Sequence, residues 1–342
     1  DESTGTHVMI PVHVDDLLPT GKPLSALHEF EDNLGKTFNI KKLGEAKWFS
    51  AMLIHRTPGR IHISQEAYIT DLCNEHATEL APKLRQPLAP GIDLYAMTND
   101  PTYLHYDDNL ADGSEVRSYS GAYAWPADCV RPDLSWSRMQ FARNQSKCSV
   151  AAFELMKQSA HYLKRTADLG IAYYKGTDFP NQPIGMVDTG FASCRMTRKS
   201  EYCFHVYMNG GPIFWKSRMI PGSPSGNTFE AELHGLYEIT RFLRFLYILM
   251  CEMHFPPTLP LTVYGDNESA LLFAKHARVT QENRHVDLKY CILSELFRSG
   301  FVDFKYIPSA ENLADIGTKA MVADSTYELL RDRIVTPREP RS

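Results

Sequence analysis

The chain has 342 residues and a formal charge of −5, with hydrophobic and charged fractions of 43% and 23%. That is ordinary for a folded protein with room for two or three cores, and it excludes a chain coated in positive charge. Local basic strips could still bind nucleic acid while a carboxylate site lowers the total. Seven cysteines without CxxC or Cys/His zinc spacing point to free thiols in a reducing compartment, cytoplasmic or nuclear. The first residues are polar and no apolar run reaches the roughly 18–20 residues of a bilayer span, so no membrane association is expected. The chain starts without Met and in mid-pattern, as a piece of something longer would.

In chain order, Val8 to Val14 reads as a strand, followed by Asp15-Asp16 and then Leu17-Leu18. Two aspartates at a hairpin tip are a candidate metal site; the plainer account is a turn that uses Asp-Asp for its backbone preferences. Leu24 to Phe38 has helical periodicity. Met52 to His55 and Arg60 to Ile63 form a candidate hairpin, and Ser64 caps a helix carrying Tyr68, Ile69 and Leu72. The Pro-, Asp- and Asn-rich stretch 81–109 reads as a linker or long loop. A helix begins at Ser118 and is expected to break at Pro126. Helices follow at about 133–143 and 149–166, the second striped by Lys157, Lys164 and Arg165, either a phosphate-facing edge or a solvated face. Leu169 to Tyr174 is strand-like.

From residue 179 the expected order is β-β-β-α-β-α-α-β-α, a mixed sheet with flanking helices and so an α/β fold. The strands are Gly185–Val187, a hairpin of Tyr202–Met208 and Pro212–Trp215, Leu261–Tyr264 and Phe301–Ile307. The helices start at Thr228, Asn267, Val286 and Asn312. Four acids stand out in this part. Asp188 and Asp266 each follow an apolar strand, where a charge must be compensated. Glu232 and Asp315 lie on expected helices. Hard oxygen ligands gathered this way suit magnesium, with manganese as the alternative, and two ions about 3.5–4 Å apart can hold the attacking and leaving oxygens of a phosphodiester.

Several strings, taken together, carry a resemblance. Val12-His13-Val14-Asp15-Asp16-Leu17-Leu18 resembles the YVDD hairpin of reverse transcriptases. Leu43-Gly44-Glu45-Ala46-Lys47-Trp48-Phe49, Ile63-Ser64-Gln65-Glu66-Ala67, Arg131-Pro132-Asp133-Leu134, Tyr162-Leu163-Lys164-Arg165-Thr166, Trp215-Lys216-Ser217, Phe229-Glu230-Ala231-Glu232-Leu233, Asp266-Asn267-Glu268-Ser269-Ala270, Arg284-His285-Val286-Asp287 and Leu313-Ala314-Asp315-Ile316-Gly317-Thr318-Lys319-Ala320 follow in the order found in copia-type LTR retrotransposon Pol polyproteins. The resemblance implies a partial reverse transcriptase palm and start of thumb over 1–80, and a linker with a helical thumb or connection over 81–178. It implies a ribonuclease H-like domain with a mixed five-stranded sheet over 179–335; residues 336–342 read as a disordered tail.

It further implies that Asp188, Glu232, Asp266 and Asp315 are catalytic metal-binding carboxylates, on two magnesium ions, for hydrolysis of the RNA strand of RNA–DNA hybrids. His285 matches the family's histidine, a proton shuttle or product-release group, or else a plain helix-surface histidine. Candidate nucleic-acid contacts are Arg195, Arg198, Lys199 and Lys216 for phosphates, and Asn267, Ser269 and Thr318 for the 2′-hydroxyl. Asp15 and Asp16 would be half a polymerase site. The missing aspartate and fingers would come from an absent palm portion or another copy, and polymerisation by this chain alone is not expected. His13 in place of tyrosine, Pro19 and Pro126 depart from the family pattern; they keep open an inactive, captured or decaying copy that binds nucleic acid or protein.

Overall fold

The computed structural model describes residues 7–76, 84–178, 180–277, 290–321 and 323–339. It divides into two compact units, Asp1–Arg56 and Thr57–Ser342. In the first, β1 (His7–Met9) pairs antiparallel with β4 (Thr20–Lys22), and β2 (Val12–His13) with β3 (Asp16–Leu17). The single strand expected over Val8 to Val14 is therefore split, and Pro19 falls between strands, where its missing N–H breaks no ladder. Helix α1 (Leu24–Thr37) and the pair β5 (Trp48–Phe49) and β6 (Met52–Thr57) complete the unit.

The second unit begins with β7 (Arg60–Ser64), α2 (Glu66–His76) and α3 (Leu94–Asn99). The stretch expected to be a linker is packed instead: Leu88, Leu94 and Met97 are buried, and Asp93 caps α3 by accepting from the Tyr95 and Ala96 amides, both at 3.0 Å. Next come α4 (Gly113–Cys129), α5 (Ser135–Asn144), α6 (Val150–Arg165) and β8 (Leu169–Tyr174). Helix α4 does not break at Pro126. The ring removes one donor, and the Ala122 carbonyl it would have served accepts instead from the Tyr68 hydroxyl at 3.0 Å. Arg131 and Asp133, two of the motif residues, are buried structural partners. The guanidinium donates to both Asp133 oxygens, at 2.9 and 2.8 Å, and to the Thr166 carbonyl, while Tyr162 donates to the same carboxylate.

The remaining elements are β9 (Ile184–Gly190), β10 (Glu201–Met208), β11 (Gly211–Met219), α7 (Thr228–Glu252), β12 (Leu261–Gly265), α8 (Glu268–His276), α9 (Cys291–Arg298), β13 (Val302–Tyr306), α10 (Asp324–Ile334) and β14 (Thr336–Pro337). The five strands β11-β10-β9-β12-β13 form one mixed sheet, antiparallel across β11, β10 and β9 and parallel across β9, β12 and β13. This is the expected α/β fold.

The sheet lies between two cores. On one face Val187, Phe204 and Val263 pack with Leu236, Ile239 and Leu243 of α7 and with α8 and α9. On the other, Met186, Tyr207 and Trp215 meet the core of the helical layer, which includes Tyr119, Phe141, Met156, Leu313 and Ile316. The expected connection and ribonuclease H-like segments thus share one unit, without a boundary at 178.

Residues 336–339 are also ordered into this unit, contrary to the expected tail. Strand β14 pairs with β8, Arg60 donates to the Pro337 and Arg338 carbonyls at 2.6 Å each, and Arg338 meets Glu66 at 3.1 Å. No described helix is long and apolar enough to cross a membrane, and all seven cysteines are free thiols.

Candidate active site

Asp188 sits near the C-terminal end of β9. The parallel register Thr262↔Ile184 and Tyr264↔Met186, continued by two residues, sets Asp266 level with Asp188 just past β12. Neighbouring strands are about 4.8 Å apart, so the two acids start from adjacent positions at the carboxyl ends of parallel strands, where α/β sheets place their ligands.

Glu232 comes from the first turns of α7. Asn227 caps that helix, accepting from the Glu230 amide at 2.8 Å. One turn beyond Glu232, Gly235 lets the helix press onto β9: a Cβ there would stand 2.9 Å from the Val187 and Thr189 side chains.

Asp315 lies in a 3-10 turn, Leu313–Gly317, rather than the expected α-helix. That turn is held against β9 by buried Asn312, which donates to the Val187 carbonyl at 2.9 Å. Gly317 allows its close approach, since a Cβ would overlap Cys203 Sγ.

The four acids thus come from a strand, a helix, a strand end and a turn, and they act on one another electrically. Burial and then the charge of Asp315 push the Asp188 carboxyl up to about 7; burial and then the charge of Asp188 push Glu232 up to about 8, with Asp266 adding to both. Thr318 donates to Asp188, Ser309 donates to Asp266 at 2.6 Å, and the Lys319 ammonium pairs with Asp315.

Three contributors were not evident in the sequence reading. Lys319 is four residues after Asp315, a spacing that signals an ion pair only where the chain is helical or nearly so. Ser309 carried no signal. Glu201, directly across from Gly190, is buried, its carboxyl driven up to about 8 by burial, and its Oε2 has no hydrogen-bond partner among the described residues.

The other expected site residues fare differently. Thr318 is buried and committed to Asp188. Asn267 caps α8, accepting from the Ala270 amide at 3.0 Å, and Ser269 is exposed beside it. Arg195 pairs with Asp100 at 3.0 Å over the Tyr103 ring, Arg198 is exposed with a left-handed backbone, and Lys199 and Lys216 flank a cleft described below. His285 lies outside the described residues. Asp15 and Asp16 are exposed at the tip of the β2–β3 hairpin in the first unit.

The donors suit a hard divalent ion: all are carboxylate oxygens, and two of them are raised by burial and then by neighbouring negative charge. Among the described residues, however, no three His, Cys, Asp or Glu side chains stand together at ligating distance.

Residues 2–87 match the family model for reverse transcriptase (RNA-dependent DNA polymerase). The chain is 26% identical over 337 residues to the retrovirus-related Pol polyprotein from transposon RE1 of Arabidopsis thaliana, covering 98% of this chain and 22% of that one. The Pol polyprotein from transposon TNT 1-94 of Nicotiana tabacum is 26% identical over 336 residues, 97% of this chain and 24% of its own length. The chain therefore spans between a fifth and a quarter of these relatives. An uncharacterized mitochondrial protein of Arabidopsis thaliana, AtMg00810, is 26% identical over 225 residues, 66% of this chain and 88% of that one.

Among solved structures, LC11-RNase H1 isolated from compost aligns at 17% identity and a TM-score of 0.31, over 40% of this chain and 91% of its own. LC11-RNase H1 in complex with RNA/DNA hybrid aligns at 17% identity and a TM-score of 0.29, over 40% and 93%.

Proposed function

We propose that this retroelement-related chain carries a ribonuclease H-type endonuclease that hydrolyses the RNA strand of RNA–DNA hybrids, with Asp188, Glu232, Asp266 and Asp315 as its divalent-ion ligands. The observation that supports this reading is the approach of those four acids, from four separate segments, to one end of the mixed sheet, where burial and then the charges of Asp315 and Asp266 raise Asp188, and burial and then the charges of Asp188 and Asp266 raise Glu232. Such an arrangement opposes folding unless a cation repays it. The substrate follows from the neighbouring segment, since copying RNA into DNA leaves a hybrid. When bound, a pair of magnesium or manganese ions would supply a water nucleophile at neutral pH and stabilisation of the leaving oxygen. The chain's own part is to hold the carboxylates in register through β9, β12 and Asn312, and to orient Asp188 through Thr318.

Ion entry would exchange the Lys319–Asp315 pair for metal ligation. The exposed Asp15–Asp16 hairpin would supply two carboxylates of a polymerase site. Free thiols suit a reducing intracellular compartment.

The test is cleavage of an end-labelled RNA–DNA hybrid with and without magnesium, in the parent and in Asp266→Asn. The expected result is metal-dependent cleavage that drops roughly thousandfold in the variant, a loss of about 4 kcal/mol of transition-state stabilisation.

One observation favours a second reading, a non-catalytic binding module: Asp315 is already neutralised by Lys319, and no described acid trio stands at ligating distance. Hybrid binding without any magnesium-dependent cleavage in the parent would establish that reading in place of the first.

A further inference from the structure

A cleft of about 890 Å³ runs along the outer edge of β11, bounded on its other side by α5. Ser135, Arg138, Met139 and Ala142 line it at helical spacing, so one face of α5 forms a wall. The other wall is an edge strand: within its sheet β11 pairs only with β10, which leaves a row of outward backbone groups.

The charges in the cleft are unbalanced. Arg138, Arg143, Lys199, Lys216 and Arg218 line it against one carboxylate, Asp128, which Arg138 already engages at 2.8 Å. None of the other four cations forms an ion pair with a described carboxylate. In a chain whose net charge is −5, this is a concentrated patch of positive charge. Its frame is also fixed. Arg143 lies over the Tyr95 ring at 4.6 Å and donates to Gln140 at 3.1 Å; Trp215 donates to the Ala127 carbonyl at 2.7 Å. Burial and the neighbouring Arg218 lower the Lys216 ammonium, as expected of a cation short of counter-charge.

The cleft is in line with the acids. Ser217 pairs with Cys203, and Cys203 with Asp188, so the cleft and the carboxylates share one row of the sheet, with Cys203 between them buried beneath the Gly317 turn, which a passing strand must skirt. Two strand spacings make that row about 10 Å long.

We propose that the β11–α5 cleft is a track for a single nucleic-acid strand, its phosphates held by Arg143, Lys199, Lys216 and Arg218 as the strand passes to or from the acidic end of the sheet. The proposal rests on the hybrid-nuclease reading for what lies at the far end of the track, but the contact itself needs no metal. Lys199 and Lys216 are then joined by Arg143 and Arg218, two cations without a sequence signal, while Arg195 is held elsewhere by Asp100.

The experiment is binding of labelled single-stranded RNA and DNA to the full chain in EDTA, as a function of salt. The proteins are the parent, the triple variant Lys199→Gln/Lys216→Gln/Arg218→Gln, and the exposed control Lys147→Gln. Three lost phosphate contacts flatten the slope of log K against log salt by about 2 and weaken binding roughly tenfold or more near 0.1 M salt, with the control unchanged. Equal slopes in parent and triple variant overturn the proposal, and so does polyglutamate competing as well as the oligonucleotide, which would mark a site for acidic peptides.

Should the triple variant fail to fold, photocrosslinking of bromouridine RNA to the parent decides. Adducts on Tyr173 or Trp215 support the track; adducts confined to other regions sink it. Because no metal is present, a failed track and a failed nuclease separate: loss of cleavage in Asp266→Asn with unchanged triple-variant binding removes the track alone.

Discussion

Replacing Asp188 by Asn should make the metal-free protein more stable above neutral pH and nearly unchanged below about pH 4. The carboxyl is held at about 7 by burial and by Asp315, whereas in an unfolded chain it titrates near 4. Between those pH values the folded state binds the proton and the unfolded state does not, so stability falls as pH rises from about 4 to about 7 and then levels. Roughly three pH units at about 1.4 kcal/mol each give about 4 kcal/mol as an upper bound. Asparagine never ionises, keeps an oxygen that accepts from Thr318, and should recover most of that loss at pH 8. The assay is urea unfolding in EDTA from pH 5 to 9, comparing parent and variant midpoints at fixed slope. Parallel pH curves for the two proteins would refute the idea that Asp188 is electrically strained by its neighbours.

The same reasoning predicts that millimolar magnesium raises the parent's melting temperature more at pH 8 than at pH 5.5, and that EDTA reverses it; a calorimeter scan at both pH values checks this. Tyr68→Phe strands the Ala122 carbonyl opposite Pro126 and should cost about 1–2 kcal/mol in chemical denaturation, most of it absent when Pro126→Ala restores an ordinary helix. Gly317→Ala drives a methyl into Cys203 and should destabilise by about 1–3 kcal/mol while displacing Asp315, so metal-induced stabilisation should shrink with it. Asp133→Asn uncovers the buried Arg131 guanidinium and should cost about 3–5 kcal/mol, read by urea titration.

Much of the second unit was legible because its signals are local. Strand runs such as Leu261 to Tyr264, the helix start at Thr228 and the apolar stripe of α7 each point to one answer without knowledge of the rest. The errors come where a distant group changes a local rule. Pro126 reads as a helix breaker until Tyr68, 58 positions earlier, supplies a substitute donor. The 81–109 stretch reads as a linker because its Asp and Asn residues favour turns, yet those same side chains cap and staple a packed segment. Thr318 looks like a contact for substrate and is taken by Asp188. Ser309 and Glu201 act through space, across separations that no window along the chain spans, whereas Lys319 is only four residues from Asp315 but follows a 3-10 turn rather than a helix.

The acidic centre is assembled from residues 188, 232, 266 and 315, while β14, at 336–337, closes the sheet that β7 and β8 begin. During synthesis, then, the ribosome must deliver nearly the whole unit before any of the carboxylates meets its fellows. An interrupted or early-clipped product would lack the acidic centre altogether, whatever chemistry the finished centre performs.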